Sequence, residues 1–466
     1  MAVLAVVVMV AVVVVLLVIV RMIRGFGRPE GQARVAMRSV VVMFMRPEAM
    51  PVGKSAVHEP QRTAQAEALS HSRRRPVSMA LMGRGVRRGR AAKIGTVRAA
   101  DVVGVPMMPP AGAAAGVERV RALVGAAHRA LVPPPVRILD AMLAPLDAAV
   151  LGAICTLGLP DEIRGRADIA TLAQRVDVDV DRLTRLVRYA HSRGWLRLDR
   201  RARVHATRVT RFLARQHPGG WSGWVEFASG TDVQGALATL ASNPRVADPF
   251  AAANGSAFFD WCSVHPDRQA AFDAAMAAGA RMHALALAGA LDWSGTRRVC
   301  DVGGGTGDLL RVLVAKNPRL LGVVVETPSV ATRIAPTDRI AVRAADAFEF
   351  AEPDCDRYLL VNVVHDWSDD DAVRLLATIR RVAPANSDVV VVEGERRARP
   401  TAGIALSTDL LMLALTPGGR ERSTAEIAAL ATRSGWSHQR RVALPSGDYA
   451  HVLTPDPSHR GDRGDR

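Results

Sequence analysis

The sequence predicts an α/β protein in which a mostly parallel sheet, covered by helices on both faces, follows a mostly helical domain. Beyond residue 297, short apolar segments alternate with amphipathic helical segments, which is the pattern of such a sheet. Between residues 168 and 206, two short helical segments precede two short β segments, as in a helix-turn-helix with a wing. Residues 21–116 contain only two aromatic residues, so we expect a disordered N-terminal extension there.

The strong positive charge of the chain is concentrated in that extension. The 466 residues carry a net charge of +16, and residues 1–116 hold 17 Lys and Arg against five Asp and Glu. This quarter therefore contributes +12, and the other 350 residues contribute only +4. A basic extension does not make the rest of the chain a nucleic-acid-binding protein.

The extension begins with an unbroken apolar run, Ala2 to Val20, which is about long enough to cross a bilayer. Arg21 and Arg24 follow it and would keep the remainder of the chain in the cytoplasm. The alternative is that residues 1–116 are upstream sequence translated from a start set too early. We favour this second interpretation, and the membrane anchor stays open. Four scattered cysteines without a C-x-x-C pair also fit a reducing cytoplasm.

We divide the rest of the chain into a helical winged-helix domain (117–265), an α/β domain (266–456) and a disordered tail (457–466). The helix predicted over residues 137–157 is apolar on most sides, as expected for a helix buried in an interface or core. In the helix-turn-helix, Asp168 and Asp181 are the predicted N-caps, and Gly194 is the predicted C-terminal glycine. Arginines flank the second helix and would suit a DNA reader, namely Arg182, Arg185, Arg188 and Arg193. We favour a protein-protein module.

Aromatic residues are dense between Trp221 and Trp261, in a chain that is only 4% aromatic. Packing alone is the simplest explanation. The more specific, functional interpretation is that these residues line a pocket for a flat, apolar substrate. Phe272 and Met276, one helical turn apart, continue this segment.

The α/β domain is predicted from apolar strands and intervening helices. The predicted strands are residues 299–302, 321–325, 340–343, 358–364 and 389–392, with a terminal pair at 441–444 and 450–453. The predicted helices are residues 369–382, 404–415 and 424–434. Ligands bind beyond the carboxyl ends of such strands, and Asp301, Glu326, Asp346 and His365 all fall there.

The first of these strands leads into a glycine loop, Gly303 to Gly307. Its spacing is G-x-G-x-G rather than the G-x-G-x-x-G of dinucleotide sites, and Asp301 precedes it. Asp301 would repel a pyrophosphate and attract a cationic amino-acid group. Glu326, 23 residues beyond Gly303, can accept both hydroxyls of a ribose. Asp346 and Phe348 suit the amine and the ring of an adenine.

Three segments carry a family resemblance: DVGGGTGD (301–308), YLLVNVVHDWSDDDAVRLL (358–376) and GRERS (419–423). They resemble the S-adenosylmethionine (SAM)-dependent O-methyltransferases of the plant caffeate, hydroxyindole and bacterial aromatic-polyketide type, over about residues 120–455. The resemblance implies a Rossmann-like class I methyltransferase domain preceded by a mostly helical winged-helix domain that forms a homodimer. It also implies SAM as the cofactor and an aromatic small molecule as the substrate, with no nucleic-acid partner expected.

The resemblance also assigns roles to residues. His365 is the implied general base, with Glu393 and Glu421 as its acidic partners. The implied cofactor contacts are Asp301, Gly303, Gly305, Glu326, Asp346 and Phe348. The implied substrate-pocket residues are Trp261, Phe272, Met276, Asp366 and Met412. No metal is needed for this chemistry.

Three other functions compete with methyl transfer. A SAM-binding relative could hydroxylate or decarboxylate its substrate, although the intact His365-Asp366 pair argues against this. A non-catalytic regulator could use the winged helix to bind DNA. A nicotinamide-dependent dehydrogenase is disfavoured, because the glycine spacing does not suit a dinucleotide.

Overall fold

The computed structural model describes residues 108–163, 165–217, 219–399 and 403–458. The apolar run, the basic extension up to residue 107 and the tail after residue 458 lie outside the described residues. Helix α1 spans Ala111–Leu131, so the prediction of disorder is wrong for residues 111–116. Alanine-rich sequence has high helix propensity, and Pro110 provides a natural helix start.

The apolar helix predicted over residues 137–157 is two helices, α2 (Pro134–Leu143) and α3 (Pro145–Thr156). The break falls at Ala144 because Pro145 has no N–H to continue the helical hydrogen bonds. By length and composition alone, the 23-residue stretch Pro134–Thr156 could cross a membrane. Its second half instead contributes Val150 and Ile154 to a buried core.

That core belongs to a small helical unit with a three-stranded sheet. Its helices are α4 (Leu159–Glu162), α5 (Ile169–Arg175) and α6 (Val180–Ser192). Its strands are β1 (Arg166–Asp168), β2 (Leu196–Leu198) and β3 (Arg203–Ala206), in the antiparallel order β1-β3-β2. The predicted helix-turn-helix and wing are therefore present, with β1 as an additional strand. Leu172, Leu183 and Val204 are fully buried between them.

The helix caps of this unit agree with the sequence at two of three positions. Asp168 Oδ1 accepts the Ala170 N–H at 2.9 Å, and Gly194 has a φ of 73° after the end of α6. The predicted N-cap Asp181 is wrong, because Asp179 Oδ1 accepts the Arg182 N–H at 3.0 Å. Asp181 lies inside the first turn, where an acidic side chain is also favourable.

Six further helices connect this unit to the large sheet. They are α7 (Arg208–Phe212), α8 (Ser222–Ala228), α9 (Thr231–Ser242), α10 (Pro249–Asn254), α11 (Phe258–Val264) and α12 (Pro266–Ala290). Phe227, Phe250 and Phe258 form a buried aromatic core among them through edge-to-face contacts. Helix α8 crosses α12 closely at Gly223, where a Cβ would lie 2.7 Å from the backbone of Ala274.

The large sheet has seven strands in the order β6-β5-β4-β7-β8-β10-β9. The strands are β4 (Arg298–Val302), β5 (Leu321–Glu326), β6 (Ile340–Ala344), β7 (Arg357–Val361), β8 (Asp388–Glu393), β9 (Trp436–Ala443) and β10 (Tyr449–Pro455). Strands β4 to β8 are parallel, and β10 is antiparallel to both β8 and β9. Successive strands are added toward one edge of the sheet from β4 to β6 and toward the other edge from β7 to β8. A ligand crevice is expected where this order switches, between β4 and β7.

Helices cover both faces of the sheet, as predicted. They are α12, α13 (Asp308–Lys316), α14 (Pro328–Ala331), α15 (Asp369–Val382) and α17 (Thr424–Arg433). Helix α16 (Ile404–Leu415) packs against α9 and α10 instead, with Leu415 in the aromatic core. Leu287 of α12 and Leu309 of α13 pack on one face. Leu375 of α15 and Leu430 of α17 pack on the other.

One predicted strand is too long. Strand β7 ends at Val361, whereas the sequence predicted it to continue to residue 364. Asn362 takes a left-handed conformation with a φ of 53°, and Val364–Asp366 form a 3-10 turn. The backbone N–H groups of this turn bond to a side chain of β8, so they are not available for strand pairing.

The two aspartates at the start of α6 allow a direct test of the cap. We expect Asp179→Ala to lower the free energy of unfolding by about 0.5–2 kcal/mol, because the Arg182 N–H loses its acceptor. Asp181→Ala is the matched control and should cost only about 0.3 kcal/mol through the helix dipole. Urea unfolding monitored by circular dichroism measures both. A larger loss for Asp181→Ala than for Asp179→Ala would contradict the assignment.

Candidate active site

The turn after β7 places one imidazole between two buried carboxyl groups. His365 Nδ1 lies 3.1 Å from Glu421 Oε1, to which it is hydrogen-bonded, and 3.1 Å from Glu393 Oε2. All three residues are at least 93% buried. Because both neighbours of Nδ1 are acceptors, Nδ1 carries a proton and Nε2 holds the lone pair of the neutral ring. Nε2 is 3.7 Å from Asp366 Oδ1.

Glu393 holds the backbone of this turn as well as facing the imidazole. Its Oε1 accepts the N–H groups of Val363, Val364 and His365 at 3.2, 2.8 and 3.3 Å. Three converging N–H groups form a small anion-binding concavity. Glu393, at the end of β8, thereby fixes the backbone position from which the His365 side chain extends.

A second element clamps the same turn from the other side. Arg420 N–H donates to the His365 carbonyl at 2.8 Å. The buried Arg422 donates to the carbonyls of Val364 at 2.8 Å and Trp367 at 2.7 Å. Glu421 lies between these two arginines, so the contacts that fix its backbone also fix that of His365.

The carboxyl groups control the protonation of the imidazole. Burial lowers the pKa of His365, but Glu393, Asp366 and Glu421 outweigh burial and raise that pKa to about 10. Burial raises the pKa of Glu393 to about 8, although His365 and the Val364 N–H act to lower it. Burial also raises the pKa of Asp366 to about 6. The site therefore holds a proton on the imidazole at neutral pH.

Asp301, at the end of β4, fits the cationic group that the sequence predicted for it. The residue is 2% exposed, and its Oδ2 has no hydrogen-bond partner among the described residues. Burial, followed by the nearby Glu326, raises the pKa of Asp301 to about 8. A buried carboxyl group without a partner is costly, and an ammonium group beside it would restore the charged form.

The glycine loop is shaped around this carboxyl group. Gly303 and Gly305 have φ values of 67° and 54°, which side-chain-bearing residues rarely adopt. A Cβ on Gly304 would lie 2.6 Å from Asp301 Oδ2, so only glycine fits there. A Cβ on Gly305 would meet nothing within 4 Å, which leaves space for a ligand against the backbone.

The other predicted cofactor residues lie at neighbouring strand ends. Glu326 Oε1 accepts the Gly305 N–H at 3.2 Å, which ties the end of β5 to the glycine loop. Asp346 is exposed, and its Oδ1 accepts the Phe348 N–H at 2.9 Å. Phe348 contacts Trp367 edge-on at 4.7 Å, and Arg374 lies over its ring. The structure thus brings Asp301, Gly305 and Glu326 together, and their cofactor contacts stay a prediction.

The predicted substrate-pocket residues are partly joined by packing. Trp261, Phe272 and Met276 pack against the same aromatic core. Phe272 contacts Phe259, which stacks on Trp367 at 5.5 Å, two residues after His365. Met412 is 7% exposed within α16, and Asp366 adjoins His365. The aromatic helices therefore reach the turn that holds His365.

In its neutral form, the His365 imidazole could accept a proton at Nε2 from an acid that approaches it. Within the described residues, the set His365, Glu393 and Glu421 is also the one group that could hold a metal ion, since its ligand atoms lie within 4.8 Å of one another. The expectation that no metal takes part stays a prediction.

Two residues of the site, Arg422 and Asp409, were not predicted from the sequence. Asp409 Oδ1 accepts the Glu421 N–H at 2.9 Å. The signal for Arg422 was its position in the GRERS segment, directly after Glu421. A buried arginine there needs hydrogen-bond acceptors, which the Val364 and Trp367 carbonyls provide.

The role of Glu421 can be tested through the titration of His365. We expect Glu421→Gln to lower the pKa of the His365 imidazole by about one unit or more, because a carboxylate 3.1 Å from Nδ1 is replaced by a neutral amide. Nitrogen-15 NMR of the labelled imidazole measures this pKa. Glu349→Gln, an exposed site, is the matched control and should leave it unchanged. An unaltered His365 titration in Glu421→Gln would contradict the assigned contact.

Comparison with known proteins identifies the family. A family model for the O-methyltransferase domain matches residues 236–437. The mitomycin biosynthesis 6-O-methyltransferase of Streptomyces lavendulae is 36% identical over 205 residues, which are 42% of this chain and 58% of that protein. The 8-amino-8-demethylriboflavin N,N-dimethyltransferase of Streptomyces davaonensis is 30% identical over 318 residues, which are 66% of this chain and 90% of that protein.

A solved structure extends the comparison to the fold and the cofactor. The structure of CalO1, a methyltransferase in calicheamicin biosynthesis in its S-adenosylhomocysteine (SAH)-bound form, has a TM-score of 0.61 and 28% identity. The match covers 69% of this chain and 98% of that one. The residues that the family model matches include the glycine loop and the turn that holds His365. The chain belongs to the family of SAM-dependent O-methyltransferases, with SAM as its cofactor.

Proposed function

We propose that His365 is the general base for methylation of a phenolic hydroxyl on a polycyclic, secondary-metabolite type of aromatic molecule. The observation that carries the proposal is the buried imidazole whose Nδ1 faces Glu393 and Glu421, because this leaves Nε2 for the acceptor hydroxyl. The SAM-dependent relatives named for mitomycin and calicheamicin biosynthesis support such an acceptor. The aromatic core beside Trp367 supports a flat one.

The raised pKa of His365 suits this acceptor. An ordinary histidine, with a pKa of about 6.5, would take a proton from a phenol of pKa about 10 only at a cost of roughly 5 kcal/mol. With a pKa of about 10, neutral His365 matches the phenol. Glu393 and Glu421 stabilise the imidazolium that results. Bound SAM supplies the electrophilic methyl group. Asp301 and the glycine loop would hold SAM by its amino-acid end.

We expect His365→Ala to reduce methyl transfer from labelled SAM to phenols roughly 100- to 10,000-fold, because the general base is lost. Calorimetric titration should show unchanged SAM affinity. His438→Ala is a matched control, since His438 lies on β9 at the far edge of the sheet. Equal transfer by His365→Ala and the unaltered protein would contradict the mechanism. An oxygen-dependent hydroxylated product would instead favour the altered-chemistry alternative.

The same site predicts a pH dependence. The acting form of His365 is the neutral imidazole, and its pKa is raised to about 10, so its population increases as the pH rises toward that value. We therefore expect kcat/KM for a phenol to increase between pH 7 and pH 9, with the limb displaced to lower pH in Glu421→Gln. Initial rates over this range measure it. A profile that is flat for both proteins would contradict the role of the carboxyl groups.

We further propose that the protein is a homodimer through α1–α3. Neither α1 nor α2 contains a buried residue. Large apolar side chains are strongly exposed there, for example Leu123 at 66%, Ile138 at 63% and Met142 at 71%. Exposed apolar surface of this extent marks an interface, and pairing two copies would bury more than about 1,000 Å². The core contacts of Val150 and Ile154 favour a second copy over a membrane as the occupant.

The dimer prediction is tested by sedimentation of the protein at micromolar concentration. We expect a dimer for the unaltered protein and a monomer for the double variant Ile138→Glu/Met142→Glu, because two charges per copy would have to be buried. Val264→Glu is the matched control: Val264 is 70% exposed outside these helices, so this variant should remain dimeric. A soluble, active monomer of the unaltered protein would contradict the proposal.

The remaining proposals concern compartment and DNA binding. We propose a cytoplasmic enzyme, supported by the free, buried state of all four cysteines. The winged helix is proposed to be a protein-protein module. Arg193, one of the four arginines around α6, bonds to Asp147 of α3 at 2.7 Å, so it serves the packing of this unit.

A further inference from the structure

A buried histidine outside the catalytic group has a nitrogen without a partner. His283 of α12 is 4% exposed, and its Nε2 lies 2.8 Å from Asp448 Oδ2. Its Nδ1 has no hydrogen-bond partner among the described residues. Burial acts to raise the pKa of Asp448, but the hydrogen bond and the charge of His283 lower it below its ordinary value. The carboxylate therefore accepts the Nε2 proton, and in the neutral tautomer that this bond selects Nδ1 is an acceptor.

The His283–Asp448 pair lies at the acceptor end of the sheet. Asp448 directly precedes Tyr449, which pairs with Glu393 across β10 and β8. It therefore stands at the carboxyl end of β8, beside the carboxyl group that contacts His365. The glycine loop and Glu326 lie at β4 and β5, on the other side of β7. The pair is thus on the side of the methyl acceptor.

One face of α12 connects this pair to the aromatic core. Successive residues of the set Phe272, Met276, Gly279 and His283 are four, three and four positions apart, so they share one face of the helix. The face is about 16 Å long. At its N-terminal end, Phe272 contacts Phe259, which stacks on Trp367. At its C-terminal end, His283 bonds to Asp448. The face therefore runs from one flank of the His365 turn to the other.

The middle of this face is open. A Cβ on Gly279 would meet nothing within 4 Å. Alanine would suit a helix interior better by roughly 1 kcal/mol, so glycine here has no local structural advantage. The open position at Gly279 thus lies between Met276, which packs on the aromatic core, and a buried nitrogen without a partner among the described residues. Ligand pockets are likewise apolar with a few placed polar groups.

We infer that His283, held by Asp448, accepts a hydrogen bond from a second hydroxyl or N–H group of the methyl acceptor. The inference rests on the proposed function and narrows its substrate class. The favoured acceptors are fused-ring phenols with a second hydrogen-bond donor remote from the hydroxyl that approaches His365. The space at Gly279 accommodates the rings between the two contacts. His283 is thereby a specificity-determining residue, and the reaction at His365 does not involve it.

The test compares 1-naphthol with dihydroxynaphthalenes that carry the second hydroxyl on the other ring. We expect His283→Phe, which keeps a flat ring but removes the acceptor, to reduce kcat/KM for the best dihydroxynaphthalene about tenfold, mainly through KM. The value for 1-naphthol should be unchanged. Gly279→Leu should reduce turnover of both phenols, because it fills the space. Met282→Leu, adjacent on the helix, is the matched control. SAM affinity, measured by calorimetry, should be the same in all four proteins.

Equal losses for both phenols in His283→Phe would overturn the inference, because they would indicate a purely structural pair. Unchanged discrimination between the phenols would overturn it as well. If the unaltered protein methylates neither phenol, the proposed function is in question, and calorimetric binding of the two phenols to the SAH complex then decides the role of His283 by itself. Tighter binding of the dihydroxynaphthalene that is lost in His283→Phe would support the inference.

Discussion

The active site depends on one interaction, the capture of the turn after β7 by the carboxyl group of Glu393. Three backbone N–H groups converge on its Oε1 while its Oε2 faces His365. One side chain at the end of β8 therefore sets both the position of the imidazole and its charge environment. Arg422 completes this arrangement by binding the carbonyl groups of the same turn. The strand must end early for this to happen, so the shorter β7 is part of the site.

Burial gives these charges their chemical effect. Burial raises the pKa of Asp301 and Glu393, whereas the pKa of His365 is raised because its neighbouring carboxyl groups outweigh burial. The two ends of the site use this in different ways. Around His365, the neighbouring carboxyl groups keep a proton on the imidazole, and the imidazole must lose this proton before it can act as a base. At Asp301 the unpartnered oxygen is suited to a cation that arrives with the cofactor.

The N-terminal helices complete the enzyme in two respects. The aromatic core of α8 to α12 extends to Trp367, so the turn that holds His365 is packed against segments far from it in sequence. Helices α1 and α2 expose apolar side chains that the other described residues do not cover. The fold thus combines a well-buried α/β sheet with a helical part that has an exposed apolar surface.

The sequence by itself determined the sheet and the glycine loop, because hydrophobic period and glycine spacing are local properties. It also gave the helices Asp369–Val382 and Ile404–Leu415 with their observed bounds. The family resemblance of its H-D-W segment drew attention to His365. Only the tertiary structure decided the end of β7, the clamp by Arg422 and the His283–Asp448 pair. These features join residues 28 to 165 positions apart, and such pairs form through packing that no local pattern encodes.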